Sequence, residues 1–496
     1  MRAQIRPLAL ILSASLLTGC TVGPDYRPPE IDVSFRFLGQ EAVARRDVQS
    51  KADLEVWWTG FDDPLLTRLI SRALEQNLDI AQAAARIAQS RASLRQADAA
   101  LLPSANVNAT AARSHQSLET PLGQLLTAAR GFDRNGSYYE ANLNASWEID
   151  IFGGLRRGQE AARAEYEASE AGAIATRLAV AAQTADVYVT IRGLQTRIAI
   201  AQRQTETRRA LLSTVKLQFE KGIAAELQVQ QAEGSLAQVE AQIPVLESGL
   251  DAAMNALDVL LAVQPGTYRN ELNAAAAIPV APSLADTGTP AEMLRRRPDL
   301  IVAERRVAAA NARIGVAIAE YYPKFSLGGL LGSATAVAAG NVFTGPASQA
   351  LGFLGLRWRL FDFARIDAQI AAARGQEAEA LAAYRLAALH ATEDVENAFS
   401  ALVKREAQIG VLTRGESSLA RARESSAAAY KGGVVSLIEV LDADSNLLQV
   451  RDAKVQAQTE AARAAIASFR ALGGGWDPQH KGSDPLISAL STTESR

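Results

Sequence analysis

Two hydrophobic spacings divide this chain. Over residues 138–149 apolar positions alternate: Tyr139, Ala141, Leu143, Ala145 and Trp147 share one face, and Tyr138, Glu140, Asn142, Asn144 and Ser146 the other. A period of two predicts a strand with one apolar and one polar side. Residues 104–113 alternate more loosely, and a polar loop, Ser114 to Gly136, separates the two. Beyond them the period lengthens. Ile174, Leu178, Ala181, Ala185 and Tyr188 step by 4, 3, 4 and 3, close to a heptad seam. Leu155 to Lys221 contains no proline; as one helix it would be roughly 100 Å long at 1.5 Å per residue. A shorter helix is expected before the strands, from Leu65 to Leu101, capped by Asp62 or Asp63 and ended by Pro103. A return helix over 224–263 follows the long one.

The second half repeats the plan. A helix is expected from about Ala291 to Tyr321, ended by Pro323. Phe325, Leu327, Gly329 and Leu331 then share a strand face, as do Leu354, Leu356, Trp358 and Leu360, with Arg357 and Arg359 opposite. Ile366 to Lys431 is the second long helix; Val395, Phe399, Leu402, Ile409, Leu412 and Leu419 mark its seam. The return helix covers 434–472. The stretch joining them, Tyr430-Lys431-Gly432-Gly433-Val434, echoes Phe219-Glu220-Lys221-Gly222-Ile223 in the first half. Such self-similarity is the mark of an internal duplication. The return helices, roughly 60 Å each, cannot match the long ones. Stacked end to end with the helices at 65–101 and 291–321, they would complete four columns.

Four strands of about ten residues, apolar on one side, have the length and pattern of a transmembrane β-barrel. Four cannot close, and open edges do not survive in lipid. Either several chains share one barrel, or the strands form a small soluble sheet.

The amino terminus supports the membrane reading. Arg2 and Arg6 precede a short apolar run, Leu8 to Leu17, that reads as a secretory signal. It ends in Leu17-Thr18-Gly19-Cys20, resembling a bacterial lipobox, and Cys20 is the chain's sole cysteine. Cleavage before Cys20 and acylation there, with palmitate among the expected acyl groups, would anchor the chain to outer-membrane lipid. The alternative is a buried cysteine behind an ordinary signal. The expected organisation is a signal peptide over 1–19, a lipid-anchored segment over 20–64, a first repeat over 65–263, a linker over 264–290, a second repeat over 291–472 and a tail over 473–496. Trp57, Trp58 and Phe61 are expected to pin the anchored segment to the body.

Composition narrows the chemistry. Apolar residues make up 48% of the chain but aromatics only 6%, which suits close alanine-rich helix packing. The net charge of −3 carries no basic face, so no nucleic acid is expected as a partner. His115, His390 and His480 lack metal-ligand company, no phosphate-binding loop is present, and Ser213 with Lys216 lies on a regular helix. No enzyme, cofactor or metal site is expected.

With these residues in place the chain resembles the TolC-type outer-membrane efflux proteins, closest to the lipoprotein branch serving resistance-nodulation-division multidrug pumps. The motifs are Gly19-Cys20-Thr21-Val22-Gly23-Pro24-Asp25-Tyr26, Trp57-Trp58, Trp147-Glu148-Ile149-Asp150-Ile151-Phe152-Gly153, Arg297-Pro298-Asp299, Leu360-Phe361-Asp362 and Val440-Leu441-Asp442-Ala443. The resemblance implies a mainly α fold with a transmembrane β-barrel, an internally duplicated chain with four strands and two long helical hairpins per protomer. It also implies a homotrimer sharing a 12-stranded β-barrel and an α-helical barrel. The implied role is a passive exit duct fed by a periplasmic membrane-fusion adaptor and, through it, an inner-membrane resistance-nodulation-division transporter. The runners-up are the duct of a type I protein secretion system and a non-channel periplasmic structural lipoprotein.

The tips then acquire roles. Lys221, Gly222, Ile223 and Ala224, with Gly432, Gly433, Val434, Val435 and Leu437, are expected to form tight turns that offer small and apolar residues to the adaptor; turn chemistry alone is the simpler reading. The resemblance places a periplasmic gate at Glu439 and Asp442, which three-fold symmetry would make rings of carboxylates; a solvated helix face is the alternative. The family's best-known gate pairs an arginine after the tip glycine with an aspartate on the other hairpin. Those positions are Val435 and Gln228 here. The closed state is therefore expected to rest on something else, with packing of Val435, Leu437 and Leu441 as one candidate.

Overall fold

A computed structural model describes residues 21–30, 36–46, 52–128, 131–284 and 289–477. The described helices include α1 Pro64–Gln76, α2 Leu78–Ala99, α3 Gly154–Glu220, α4 Glu226–Glu240, α5 Gln242–Leu260, α6 Pro290–Arg296, α7 Pro298–Ala319, α8 Phe363–Lys431 and α9 Leu437–Ala471. The strands are β1 Ser104–His115, β2 Asn135–Ile149, β3 Lys324–Thr335 and β4 Ser348–Arg357. The long helices have 67 and 69 residues, close to expectation. The chain forms two compact units. One comprises the residues up to Pro29, Gln89–Glu167 and Glu304–Ala382; the other comprises Glu30–Ala88, Ala168–Ala303 and the residues from Ala383 onward.

The first unit holds the sheet. Its order is β1-β2-β3-β4, antiparallel throughout, leaving β1 and β4 as free edges. The register aligns Val107, Leu143 and Leu331 across three strands, and Trp147, Leu327 and Leu354 across another three. All six are exposed, so this face of the sheet carries an uncovered apolar band, bounded at one end by the buried Ser333 and Thr335. The other face is mixed. Gln349 donates to Asn142 Oδ1 (2.8 Å), whereas Leu330 and Leu351 interrupt the polar pattern. Phe353 lies on this face against Gly328, where any Cβ would collide with its ring. Trp147 closes β2 by donating Nε1–H to the Leu101 carbonyl (2.9 Å). Trp358 does the same to the Tyr321 carbonyl (3.0 Å). Trp358 and Leu360 were expected within the fourth strand, yet β4 ends at Arg357. In the register that pairs Arg357 with Lys324, Trp358 would face Pro323, which has no amide to give the ladder.

The second unit is a helical body knit by its non-helical segments. Trp57 stacks on Phe469 (5.4 Å, 9°) and meets Trp58 and Phe61 edge-on, as the pinning role requires. Asp63 caps α1 through Leu65 N (2.9 Å) and Leu66 N (3.0 Å). Its second oxygen accepts from the buried Tyr188 hydroxyl (2.7 Å). Burial, reinforced by this bond, pushes the Tyr188 phenol up to about 12. The last helix ends at Gly473-Gly474-Gly475. Gly473 and Gly475 take positive φ, and Gly475 N donates to the Leu54 carbonyl (2.8 Å). The expected tail lies outside the described residues beyond Asp477.

Three expected helices are interrupted. The helix at 65–101 breaks at Asn77, whose Oδ1 caps α2 through Asp79 N and Ile80 N while Nδ2 donates to the Leu260 carbonyl, at the end of α5 (2.9 Å). The helix at 291–321 breaks at Arg297, because the residue before Pro298 is barred from helical geometry. Arg297 reaches the Ala471 carbonyl at the end of α9 (3.1 Å). Each break thus lets a polar side chain satisfy an orphan carbonyl where a return helix ends, the abutment expected of composite columns. The return helix at 224–263 divides at Ala241, since Pro244 cannot donate to the preceding turn. The loop at 114–136 contains a short helix, Pro121–Thr127.

Candidate functional site

The two hairpin tips lie in the second unit and share one design. Gly222 (φ 73°) and Gly433 (φ 72°) occupy the left-handed region. Beyond each, an amide reaches back five residues: Ile223 N to the Gln218 carbonyl (2.8 Å), and Val434 N to the Ala429 carbonyl (2.9 Å). This Schellman closure satisfies a carbonyl that the helix end would leave bare. Gly432 is not left-handed, so Gly433 alone of that pair needs glycine's backbone freedom. Gln228 turns its Oε1 onto Ala225 N (3.1 Å) and caps its own helix rather than crossing to the other hairpin.

Beneath the turns the hairpins share an apolar cluster. Val215, Ala232 and Leu437 are fully buried, with Leu211, Leu212, Ala224, Val229, Tyr430 and Leu441 around them. Tyr430 donates its hydroxyl to Gln218 Oε1 across the pair (2.9 Å). Leu437 departs from its expected exposure: only 1% of its surface is accessible. As the first residue of α9 it turns inward to close the cluster. Ala224 and Val435 are half-buried, whereas Lys221, Gly222, Gly432 and Gly433 are exposed. Ile223 (73%) and Val434 (80%) are the aliphatic residues left in solvent at the turns themselves. Leu217, Phe219, Leu227 and Ile438 add to that apolar surface.

Glu439 and Asp442 are both exposed on α9. Ser436 Oγ stands 3.5 Å from Glu439 Oε1. Two positions beyond Asp442 the chemistry changes. Asp444 is buried and accepts from Gln204 on α3. Arg208 Nε of α3 and Arg423 Nε of α8 each stand 3.4 Å from its oxygens. Arg208 is buried too, and burial lowers its pKa, only partly offset by Asp444. Arg208 Nε, Thr205 Oγ1 and Ser235 Oγ are buried without a well-formed hydrogen bond. A half-satisfied polar layer therefore separates the tip cluster from the helical body.

That layer begins a ladder from α3 to α9. Arg197 pairs in a fork with Asp452 (2.7 and 3.1 Å), and Arg463 with Asp186 (2.7 and 3.0 Å). Within the second hairpin Glu416 of α8 accepts from Arg451 (3.0 Å) and Lys454 (2.9 Å) of α9. The family's arginine is absent at Val435, yet other arginines tie the hairpins together farther along.

Cys20 lies outside the described residues. No cluster of potential metal ligands occurs among the described residues. His115 meets Asn135, His390 meets Glu393, and Lys216 pairs with Glu233 (2.7 Å) rather than with Ser213.

Comparisons with known proteins complete the picture. The sequence profile described as outer membrane efflux protein matches residues 69–263 and 289–474. The pyoverdine export outer membrane protein OpmQ of Pseudomonas putida is 33% identical over 474 residues, covering 95% of this chain and 98% of that protein. The outer membrane protein OprJ of Pseudomonas aeruginosa is 30% identical, covering 96% and 97%. The solved structure of the outer-membrane channel OprN superposes with a TM-score of 0.83 at 31% identity, covering 92% of this chain and all of that one.

Proposed function

The chain belongs to the outer membrane efflux protein family, and on that premise we propose that its paired hairpin tips are the periplasmic entrance of a trimeric exit duct. The chain is an outer-membrane channel of a tripartite efflux system, with a periplasmic helical portion. It works with an adaptor and an inner-membrane transporter. The finer assignment is that Ile223, Val434 and their exposed apolar neighbours receive a periplasmic membrane-fusion adaptor, and that the transporter is of the resistance-nodulation-division type. Three copies supply twelve strands, the uncovered apolar sheet face meets lipid, and acylated Cys20 adds an anchor. OpmQ is named for pyoverdine export and OprN as an outer-membrane channel, which favours neither the secretion duct nor the structural lipoprotein.

In this reading transport is passive. Glu439 and Asp442 form rings of like charge that oppose closure and attract cations. The tip cluster and the Arg208–Asp444 layer hold the hairpins together against that repulsion. Adaptor docking on the apolar surface releases them, and cargo moves down its gradient. Energy comes from the transporter.

The observation that carries the entrance assignment is two aliphatic residues exposed at adjacent turns with no intrachain use for them. The test is binding of the purified trimer to its adaptor. Ile223→Asp with Val434→Asp should weaken binding by tenfold or more, since each introduces a charge into an apolar contact, while the trimer's mass and melting stay unchanged. Unchanged affinity would remove the tips from the docking surface. Acylation is tested separately: Cys20→Ser should abolish acyl labelling, and labelling that persists would end the lipid reading.

A further inference from the structure

Far from the tips in sequence, the first described residues make an unusual set of contacts. Arg157, in the first turn of α3, is buried with its side chain 4% accessible. Its Nε donates to the Val22 carbonyl (3.1 Å) and its Nη2 to the Gly23 carbonyl (3.3 Å) and to Asp25 Oδ1 (2.7 Å). Glu160, one turn on, accepts from Nη1 (2.7 Å) and holds the guanidinium in place. Val22 N donates to the Phe152 carbonyl (3.1 Å), so the segment is bonded from both sides.

Glycines clear the space. A Cβ on Gly315 would fall 2.7 Å from Arg157 Cγ. A Cβ on Gly23 would fall 2.5 Å from Gly315 Cα, and one on Gly153 2.5 Å from Thr21 Cγ2. Gly23 (φ 94°) and Gly153 (φ 79°) also take left-handed geometry. Three residues later Tyr26 packs against Ala164, Ala308 and Ala309, and its hydroxyl donates to Glu304. Arg305 lies over its ring, 6.0 Å from the centroid. This is a shaped groove: a buried fork reads two consecutive carbonyls, and a pocket receives an aromatic ring two residues after Pro24.

We propose that Arg157, Gly153 and Gly315 form a seat for the chain's own segment Thr21–Tyr26, and that Arg157 positions that segment at the foot of the sheet. The seat lies where β2 has ended and α3 begins; Gly153 follows Trp147, whose indole bonds the Leu101 carbonyl, by six residues. Indoles of this kind favour the membrane interface. A residue bonded to Thr21 is thereby delivered to that interface before any acyl chain inserts. This consequence rests on the reading of Cys20; the seat does not.

Chymotrypsin offers a direct probe, because it cleaves after Tyr26, which the seat half-buries. The protein is the full-length mature chain, purified from outer membranes as the assembled trimer. The rate of release of the segment ending at Tyr26 is followed by mass. Wild type should be cleaved slowly. Arg157→Ala should be cleaved about tenfold faster, as expected when charge-assisted hydrogen bonds to the segment are lost. Arg157→Lys should also be cleaved faster, because an ammonium cannot reproduce the planar fork. Gly315→Val should act likewise, because its Cβ falls 2.7 Å from Arg157 Cγ and pushes the fork off the segment while the arginine and its charge remain. Amide exchange around Trp57 and Phe469, in the other unit, should remain at the wild-type level in all three, which separates release from unfolding. Wild-type resistance in Arg157→Lys and Gly315→Val would overturn the seat. The released fragment's mass reports acylation independently: an acylated Cys20 supports the membrane consequence, and an unmodified one in a protected wild-type segment overturns that consequence while leaving the seat.

Discussion

Asp444 and Arg208 are each about 5% accessible in their side chains, and their closest approach is 3.4 Å. Burial of two charges is offset only when both are present. Asp444→Ala should therefore destabilise the protein by about 3 kcal/mol, with Arg208 left uncompensated. Replacing both, as Arg208→Met with Asp444→Leu, should recover most of the loss. Denaturant unfolding of the four-member cycle measures the coupling, and additive losses would show that the two side chains act separately. A second residue-scale contrast lies in the tip glycines. Gly433→Ala should cost about 1 kcal/mol because an alanine there must hold a left-handed backbone. Gly432→Ala should cost much less, since φ is ordinary and an added Cβ meets its nearest atom at 3.5 Å. Equal costs would mean that the turn is not set by Gly433. The tip glycines were legible because turn chemistry is local. Asp444 was not singled out, although Leu437, Val440, Asp444 and Leu447 lie on one buried seam of α9. A charge at a heptad step was the available signal. Its buried arginine partner, Arg208, lies in another hairpin, beyond what spacing along one helix reveals.

The helical hairpins are tied by polar bonds as much as by apolar ones. Glu416 joins α8 to α9 through Lys454 and Arg451. The Lys454 bond, and then Arg451, hold its carboxyl below the ordinary value of 4.5 against the opposing effect of burial. A carboxylate with a depressed folded pKa contributes stability that is complete above the unfolded value and lost as pH falls through the folded one. Amide exchange in the middle of α8 and α9 should accelerate as pH drops below about 4.5, after correction for intrinsic exchange. Glu416→Gln should remove that acid dependence; a variant that retains it would place the acid-labile contact elsewhere. At this scale the long helices were readable from heptad steps and the lack of proline. Their shorter partners were less so. Pro298 and Pro244 stood in the sequence as breakers, yet the apolar pattern continued across both. The Asn77 break carries no proline at all. It exists because Leu260, distant in sequence, presents a carbonyl to the Asn77 amide.

At the scale of the whole molecule, the sheet sets the requirement. Four antiparallel strands with two free edges and an exposed apolar band do not stand alone in lipid. Strand alternation made this legible, including the need for more than one copy; the number three came only with the family. The apolar face was predicted for β2, β3 and the part of the fourth strand up to Leu356, but not for β1, whose Val107 was not named; Leu330 and Leu351 on the opposite face were not predicted, because a period of two does not say which face a particular leucine occupies. The central claim is a passive duct closed at its tips, and single-channel recording of the purified trimer in a planar bilayer tests it most directly. The wild type should show small or infrequent conductance with cation preference, and Glu439→Ala with Asp442→Ala should make openings rarer, because the repulsion that opposes closure is gone, and weaken that preference. A trimer that inserts but conducts in neither form would contradict the duct.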